Sequence, residues 1–183
     1  MTDTGATSPG TMADDDTVGT KVWPDVDNAK VSDNSYTSIN LGLGGWVCDY
    51  KVHIVKADDS IGEENKDDGN WPSSDEYNSY GNSTDLWSEE WTAENINDEN
   101  FGVVISAYQY DFSHFLKATN FGFSIPGGAT INGILAEIER HADGATAYID
   151  HIRITVYYTE GVTEAVPSLQ FQTDGLNYVV QPI

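Results

Sequence analysis

Two stretches of this chain alternate apolar and polar residues with a period of two, and no other feature restricts the fold as much. In 134–140, Ile134, Ala136 and Ile138 fall on one side, and Glu137 and Glu139 on the other. In 148–158, Ile152, Ile154 and Val156 oppose His151, Arg153 and Thr155. Side chains of a strand point alternately to its two faces, so each stretch reads as a strand with one face in a core. The segment 47–56 has the same period, which assigns Cys48, Tyr50, Val52 and Ile54 to one face and Asp49, Lys51 and His53 to the other. Residues 101–108 are more continuously apolar, as suits a central strand covered on both faces. Residues 121–125 read as a further short strand that stops at Pro126-Gly127-Gly128, a strong turn signal.

Helical pattern is nearly absent. One short turn is expected near 92–97, where Thr92 can cap Ala93-Glu94-Asn95-Ile96 and Glu94 sits near the positive end of the helix dipole. Many short strands with turns between them and little helix predict an all-β fold, an antiparallel β-sandwich of jelly-roll type.

The pattern divides the chain into three parts. Residues 1–20, rich in Thr, Gly, Asp and Ser, read as a flexible N-terminal arm. Residues 21–160 form the sandwich and carry a long irregular loop at 57–90, dense in acids and aromatics. Residues 161–183 form a C-terminal tail with too many apolar residues for solvent. The tail either adds strands or docks on another subunit, with Leu169, Phe171, Tyr178 and Val180 as candidate docking residues.

Charge limits the partners. Eight Lys+Arg face 30 Asp+Glu, for a net charge of −22. Such a surface repels nucleic-acid phosphates and anionic lipid. It also repels itself, and molar salt removes most of that cost by shortening the Debye length to roughly 3 Å. Adaptation to brine, as in a halophilic host, is the economical explanation. No stretch approaches the ~20 apolar residues of a membrane helix. The first 20 residues lack the basic and apolar regions of a secretory signal. The single cysteine, Cys48, excludes an intramolecular disulfide and reads as a buried structural thiol.

Catalytic patterns are missing, and the expectation is a protein that is not an enzyme. No serine sits in a nucleophile elbow. His53, His114, His141 and His151 lack metal-ligand spacing. Glu137 and Glu139 share a strand face, as a solvated face among many acids would show. Leu41-Gly-Leu-Gly-Gly-Trp46 leads into a strand and reads as a flexible connection, not a phosphate cradle. No cofactor is expected. Ca²⁺ at the acidic run 58–68 is a weak candidate, because the D-x-D-x-D-G spacing is missing. Trp71, Tyr77, Tyr80 and Trp87 could present a stacking surface to a glycan, or serve a core or a partner contact.

Several motifs resemble a recurrent structural domain of tailed phages. They include Trp71-Pro-Ser-Ser-Asp-Glu-Tyr77, Tyr80-Gly-Asn-Ser-Thr-Asp-Leu-Trp87, Trp91-Thr-Ala-Glu-Asn-Ile-Asn97 and Phe101-Gly-Val-Val. The run 117–134, containing Phe121-Gly-Phe-Ser-Ile-Pro126, and the run 147–159 also fit. So do Ser8-Pro-Gly-Thr, Val18-Gly-Thr and 28–36, so that the resemblance covers roughly residues 8–160. In the family pattern the Phe-Gly-Phe-Ser-Ile-Pro segment precedes the Trp-Pro and Leu-Trp segments. Here it follows them, which leaves strand connectivity open.

The resemblance implies a virion structural module of a tailed virus, such as a capsid decoration, turret or fibre subunit, and it carries no catalytic residues. The expected partners are capsid or tail proteins and further copies of the chain. A host-surface glycan is the alternative. The expected location is the virion, after synthesis in the host cytoplasm.

Overall fold

The computed structural model describes residues 1–161, 170–173 and 178–181. Two antiparallel sheets pack face to face. The first is built on a hairpin of two long strands, β8 (Thr130–Asp143) and β9 (Thr146–Thr159). β5 (Glu76–Asn82) pairs with the outer side of β8. The free side of β9 is shared by β1 (Thr2–Asp3) at one end and β3 (Thr37–Asn40) at the other. The second sheet runs in the order β2 (Thr11–Asp15), β7 (Phe115–Thr119), β6 (Gly102–Tyr108), β4 (Cys48–Val55). From β1 to β6 the chain changes sheet at every step, and the hairpins β6–β7 and β8–β9 close the two sheets. The antiparallel all-β sandwich expected from the alternation is what forms.

The core lies between the sheets. β8 and β9 contribute Ile134, Ala136, Ile138, Ile149, Ile152, Ile154 and Val156, all fully buried. They meet Val52 and Ile54 of β4, Val103 and Ile105 of β6, and Leu116 and Ala118 of β7. Each such side chain contributes about 1.5–3 kcal/mol on burial. As expected, β6 is covered on both faces, its outer residue Val104 packing with Val55 and Phe115 in a second, smaller cluster. The expected helical turn is present as α1 (Ala93–Asn97). Thr92 Oγ1 accepts from Asn95 N at 3.2 Å and Asn95 Oδ1 accepts from Thr92 N at 3.0 Å, a reciprocal capping box, while Ala93 and Ile96 face the core.

Three β-bulges change which residues point inward, at Tyr50 in β4, Asn132 in β8 and Asp150 in β9. In β4 the register with β6 shifts between Asp49 and Lys51, so Tyr50 is the extra residue. Before the bulge Val47 and Asp49 face the core; after it Val52 and Ile54 do. An extra residue reverses the alternation. Unbroken alternation put Asp49 outside and Cys48 and Tyr50 inside, and the structure corrects all three. Cys48 is half-buried on the outer face, its Sγ donating to Asn70 Oδ1 at 2.9 Å. The register of β9 shifts in the same way at Asp150, which separates the inward pair Ala147 and Ile149 from Ile152, Ile154 and Val156.

Residues 1–20 are not a free arm. β1 pairs with Tyr157 and Tyr158, Thr7 bridges Ile154, and β2 pairs along the whole of β7 with Met12 buried. The loop expected at 57–90 is interrupted by β5, and its first part lines the edge of β4. There Gly62 N donates to Ile54 O, Lys66 N to Val52 O and Trp71 N to Val47 O, each at 2.8–2.9 Å. Residues 121–125 form no ladder, although Phe121, Phe123 and Ile125 point inward at alternate positions. The tail holds β10 (Gln170–Thr173) and β11 (Tyr178–Gln181), an antiparallel pair separate from both sheets of the body.

Candidate functional site

Among the described residues, the most exposed large apolar side chains after residue 40 gather at one end of the sandwich. Leu43 is 88% exposed, Trp46 76% and Tyr110 75%. Two connections carry them: the glycine-rich loop between β3 and β4, and the turn between β6 and β7. The backbone holds these connections together, since Leu41 O accepts from Asp111 N at 2.9 Å and from Tyr110 N at 3.2 Å. Glycine allows the close approach. Gly42, at φ 123°, leaves no room for a Cβ, which would sit 2.8 Å from Tyr110 Cβ. Gly45, at φ 154°, is pressed against the Gln109 side chain in the same way. The glycine-rich loop is therefore a fixed seat for Leu43 and Trp46, whereas its composition alone read as a flexible connection.

Below the loop the patch continues onto the outer face of the second sheet. The β4 bulge turns Tyr50 outward, where its ring lies 4.5 Å from Phe112 and 6.2 Å from Tyr108. Tyr108 and Phe112 stack at 5.5 Å. Asp111, the acid within this turn, is paired with Lys21 at 3.1 Å. In a chain of net charge −22, this end offers an apolar surface, with Asp111 paired to Lys21 and the Lys51 ammonium 5.4 Å from the Tyr50 ring centre. Sequence reading missed it because its residues come from 41–50 and 108–112, and only the tertiary fold joins them. The available signal was the exposed Trp46 beside glycines, since a tryptophan in a loop needs either a core or a partner.

Three of the residues proposed for glycan or partner contact are in the core. Trp71, Tyr80 and Trp87 are 4%, 2% and 0% exposed. Trp87 Nε1 donates to Ile134 O at 3.1 Å. Trp71 Nε1 and Tyr80 OH each donate to the Asp49 carboxylate at 2.8 Å. Asp49 also accepts from Asp68 N at 3.0 Å and pairs with Arg140, which is 1% exposed and lies over the Trp71 ring at 4.9 Å. This network ties β4 of one sheet to β5 and β8 of the other. Burial pushes the Asp49 carboxyl up, and Arg140 with the converging donors pulls it back down. Trp71 and Tyr80, which looked like part of a surface display, are thus held with Asp49 and Arg140 in an inter-sheet clamp.

Tyr77, the fourth, lies on the outer face of the first sheet in a different cluster. Its OH is 2.8 Å from His151 Nδ1, and Ser8 Oγ is 2.8 Å from His151 Nε2. Arg153 sits over the Tyr77 ring at 3.8 Å and makes a two-pronged pair with Glu137 at 2.9 and 3.0 Å. Burial holds the His151 imidazole below its ordinary range. A neutral imidazole can serve both neighbours, donating to one and accepting from the other. Beside it, Asp75 accepts from Tyr36 OH at 2.6 Å and lies 2.6 Å from His141 Nδ1, with His141 stacked on Tyr148 at 4.5 Å. The bonded Asp75 carboxylate pushes the Tyr36 phenol up to about 12. These polar bonds fasten the segments around Ser8 and Tyr36 across the sheet.

Most carboxylates of the acidic run have partners within the fold. Asp58 accepts from Ser60, Asp59 pairs with Lys117, Glu64 and Asp85 share Lys66, and Asp67 accepts from Asn65. Among the described residues, no group of three His, Cys, Asp or Glu side chains converges to hold a metal ion. Of the candidate docking residues, Leu169 lies outside the described residues. Phe171, Tyr178 and Val180 lie in the β10–β11 pair. Comparison with protein-family models, curated proteins and solved structures finds no match to this chain.

Proposed function

We propose that this chain is an assembly subunit of a virus particle, a decoration, turret or fibre component of a tailed virus, that works through protein–protein contact. The observation that carries the reading is the aromatic end of the sandwich. Leu43, Trp46 and Tyr110 stand out of a rigid seat on a surface that is otherwise acidic and strongly hydrated. Contiguous exposed apolar side chains rimmed by polar residues mark places where proteins meet. The tailed-phage resemblance supplies the setting, and the charge supports a particle exposed to brine. Glycan stacking by Trp71, Tyr80 and Trp87 is not part of the reading, because their rings are enclosed.

The test is made on particles. Mass spectrometry of purified virions should find this chain at stoichiometric abundance. The double substitution Leu43→Ser, Trp46→Ser should yield a folded protein that particles no longer contain. Virions that lack the wild-type chain, or that incorporate the variant normally, would sink the proposal.

A further inference from the structure

The aromatic end has two levels. Leu43, Trp46 and Tyr110, 88%, 76% and 75% exposed, stand out from their loops as a knob. Beside them Tyr108 and Phe112, 36% and 39% exposed, lie stacked against the sheet with Tyr50 and form a shelf. The seat of the knob is fixed, because Gly42 and Gly45 press the loop against Tyr110 and Gln109, and Leu41 O accepts from Tyr110 N and Asp111 N. The knob is therefore presented at one place relative to the shelf. A rigid projection with a flat aromatic shelf beside it fits a copy of itself turned by a two-fold rotation, each projection lying on the other's shelf.

The area suits such a contact. Scaling the roughly 150–250 Å² that an aromatic side chain can bury by these exposures, with Leu43 on the same footing, gives roughly 600 Å² per copy. A standard interface takes roughly 800 Å² per partner, and the polar rim of the patch supplies the remainder. Charge points the same way. A chain carrying −22 repels its own copy over most approaches. At this end Asp111, the acid of the turn, is paired with Lys21 at 3.1 Å. Lys51, 5.4 Å from the Tyr50 ring centre, is among the described residues the only lysine or arginine with no carboxylate within 4.0 Å. It adds an uncompensated positive charge to the rim, which favours the approach of a strongly acidic body, and a second copy is one. A contact confined to one end also leaves the acids of the two bodies in solvent, where salt screens them.

Resting on the reading of the aromatic end as an assembly surface, we propose that it is the two-fold interface of a homodimer. Each copy lays Leu43 and Trp46 on Tyr108 and Phe112 of the other. The contact is isologous, so it closes at two copies and does not propagate. The dimer is the unit that joins the particle.

The experiment uses the full-length chain in molar salt, with mass measured by analytical ultracentrifugation up to millimolar protein. Wild type should reach a dimer and nothing larger. Leu43→Ser with Trp46→Ser should weaken dimerisation at least about tenfold, and so should Tyr110→Ser alone. Both variants keep the net charge. The three side chains are too exposed for the fold to depend on them, and an unchanged far-UV circular dichroism spectrum checks this. A monomeric wild type at millimolar concentration overturns the proposal. So does a species whose mass keeps growing past two copies, which marks a heterologous contact, or a variant that dimerises like wild type, which places the contact elsewhere. A monomeric wild type whose Leu43→Ser, Trp46→Ser variant is still lost from particles removes the homodimer and leaves the assembly reading, with another virion protein as the occupant. A dimer that virions do not contain removes the assembly reading and leaves the homodimer.

Discussion

At the scale of single residues, the most consequential placement is that of Asp49. It and Arg140 are both removed from water, and the pair is held because Trp71, Tyr80 and the Asp68 amide supply the remaining hydrogen bonds. Removing one partner strands the other charge, at a cost of about 3–5 kcal/mol. Asp49→Ala and Arg140→Ala should each lower the unfolding free energy by that margin, read from the shift of the denaturant midpoint. Asp49→Leu with Arg140→Met should recover much of the loss, because a buried pair replaced by apolar groups of similar volume is often neutral. Additive losses in the double variant would show that the pair is not a unit.

His151 gives a second residue-scale expectation, in pH. Its folded-state pKa is lowered from the ordinary 6.5 by burial, with Glu139 and Glu137 pulling it up and Arg153 pushing it down. As pH falls through 6.5, the unfolded chain takes up a proton that the folded chain excludes, so stability present above 6.5 is lost toward the lowered value. His53, whose imidazole is lowered mainly by burial and donates from Nδ1 to Gly62 O, acts in the same direction. Urea midpoints at pH 7.5 and 5.5 should differ less in His151→Gln than in wild type. An equal difference in both proteins would remove His151 from the acid response.

At the scale of elements, the edges decide most. Residues 1–20 look like a tail by composition, yet they supply the strand that covers β7 and the segment that covers β9. Deleting them exposes Met12's side of the core, a loss of about 1.5–3 kcal/mol from that side chain alone. The melting temperature should fall by roughly 3–12 °C on that account, and further for the lost ladders. An unchanged melting temperature would return these residues to the status of a free arm. The bulges are the other element-scale feature. Without Tyr50 and Asp150 as extra residues, the first part of each strand would present its opposite set of side chains, sending Asp49 to solvent and Cys48 inward.

At the scale of the whole molecule, electrostatics dominates. Among the described residues, every lysine and arginine except Lys51 lies within 4.0 Å of a carboxylate. Lys51 lies 5.4 Å from the Tyr50 ring centre. The paired cations are thereby occupied, and among the described residues most acids have no positive neighbour within 4.0 Å. Raising NaCl from 0.1 to 2 M should increase the melting temperature by about 2–8 °C, the shift that 1–2 kcal/mol produces in a chain of this length. A melting temperature independent of salt would end the brine interpretation.

What the sequence determined by itself is what depends on neighbours along the chain. Period-two alternation in β8 and β9, the apolar run of β6 and the Thr92 cap of α1 are local signals, and local geometry obeyed them. Net charge also belongs to the sequence alone. The tertiary structure decided everything that depends on which segments meet. It placed Trp71, Tyr80 and Trp87 inside because Asp49, Arg140 and Ile134 O were there to take their polar atoms. It reversed β4 at Tyr50, because one residue more than the partner strand can match turns every earlier side chain over. It also assembled the aromatic end from two loops about 60 residues apart, a juxtaposition that no window along the chain contains.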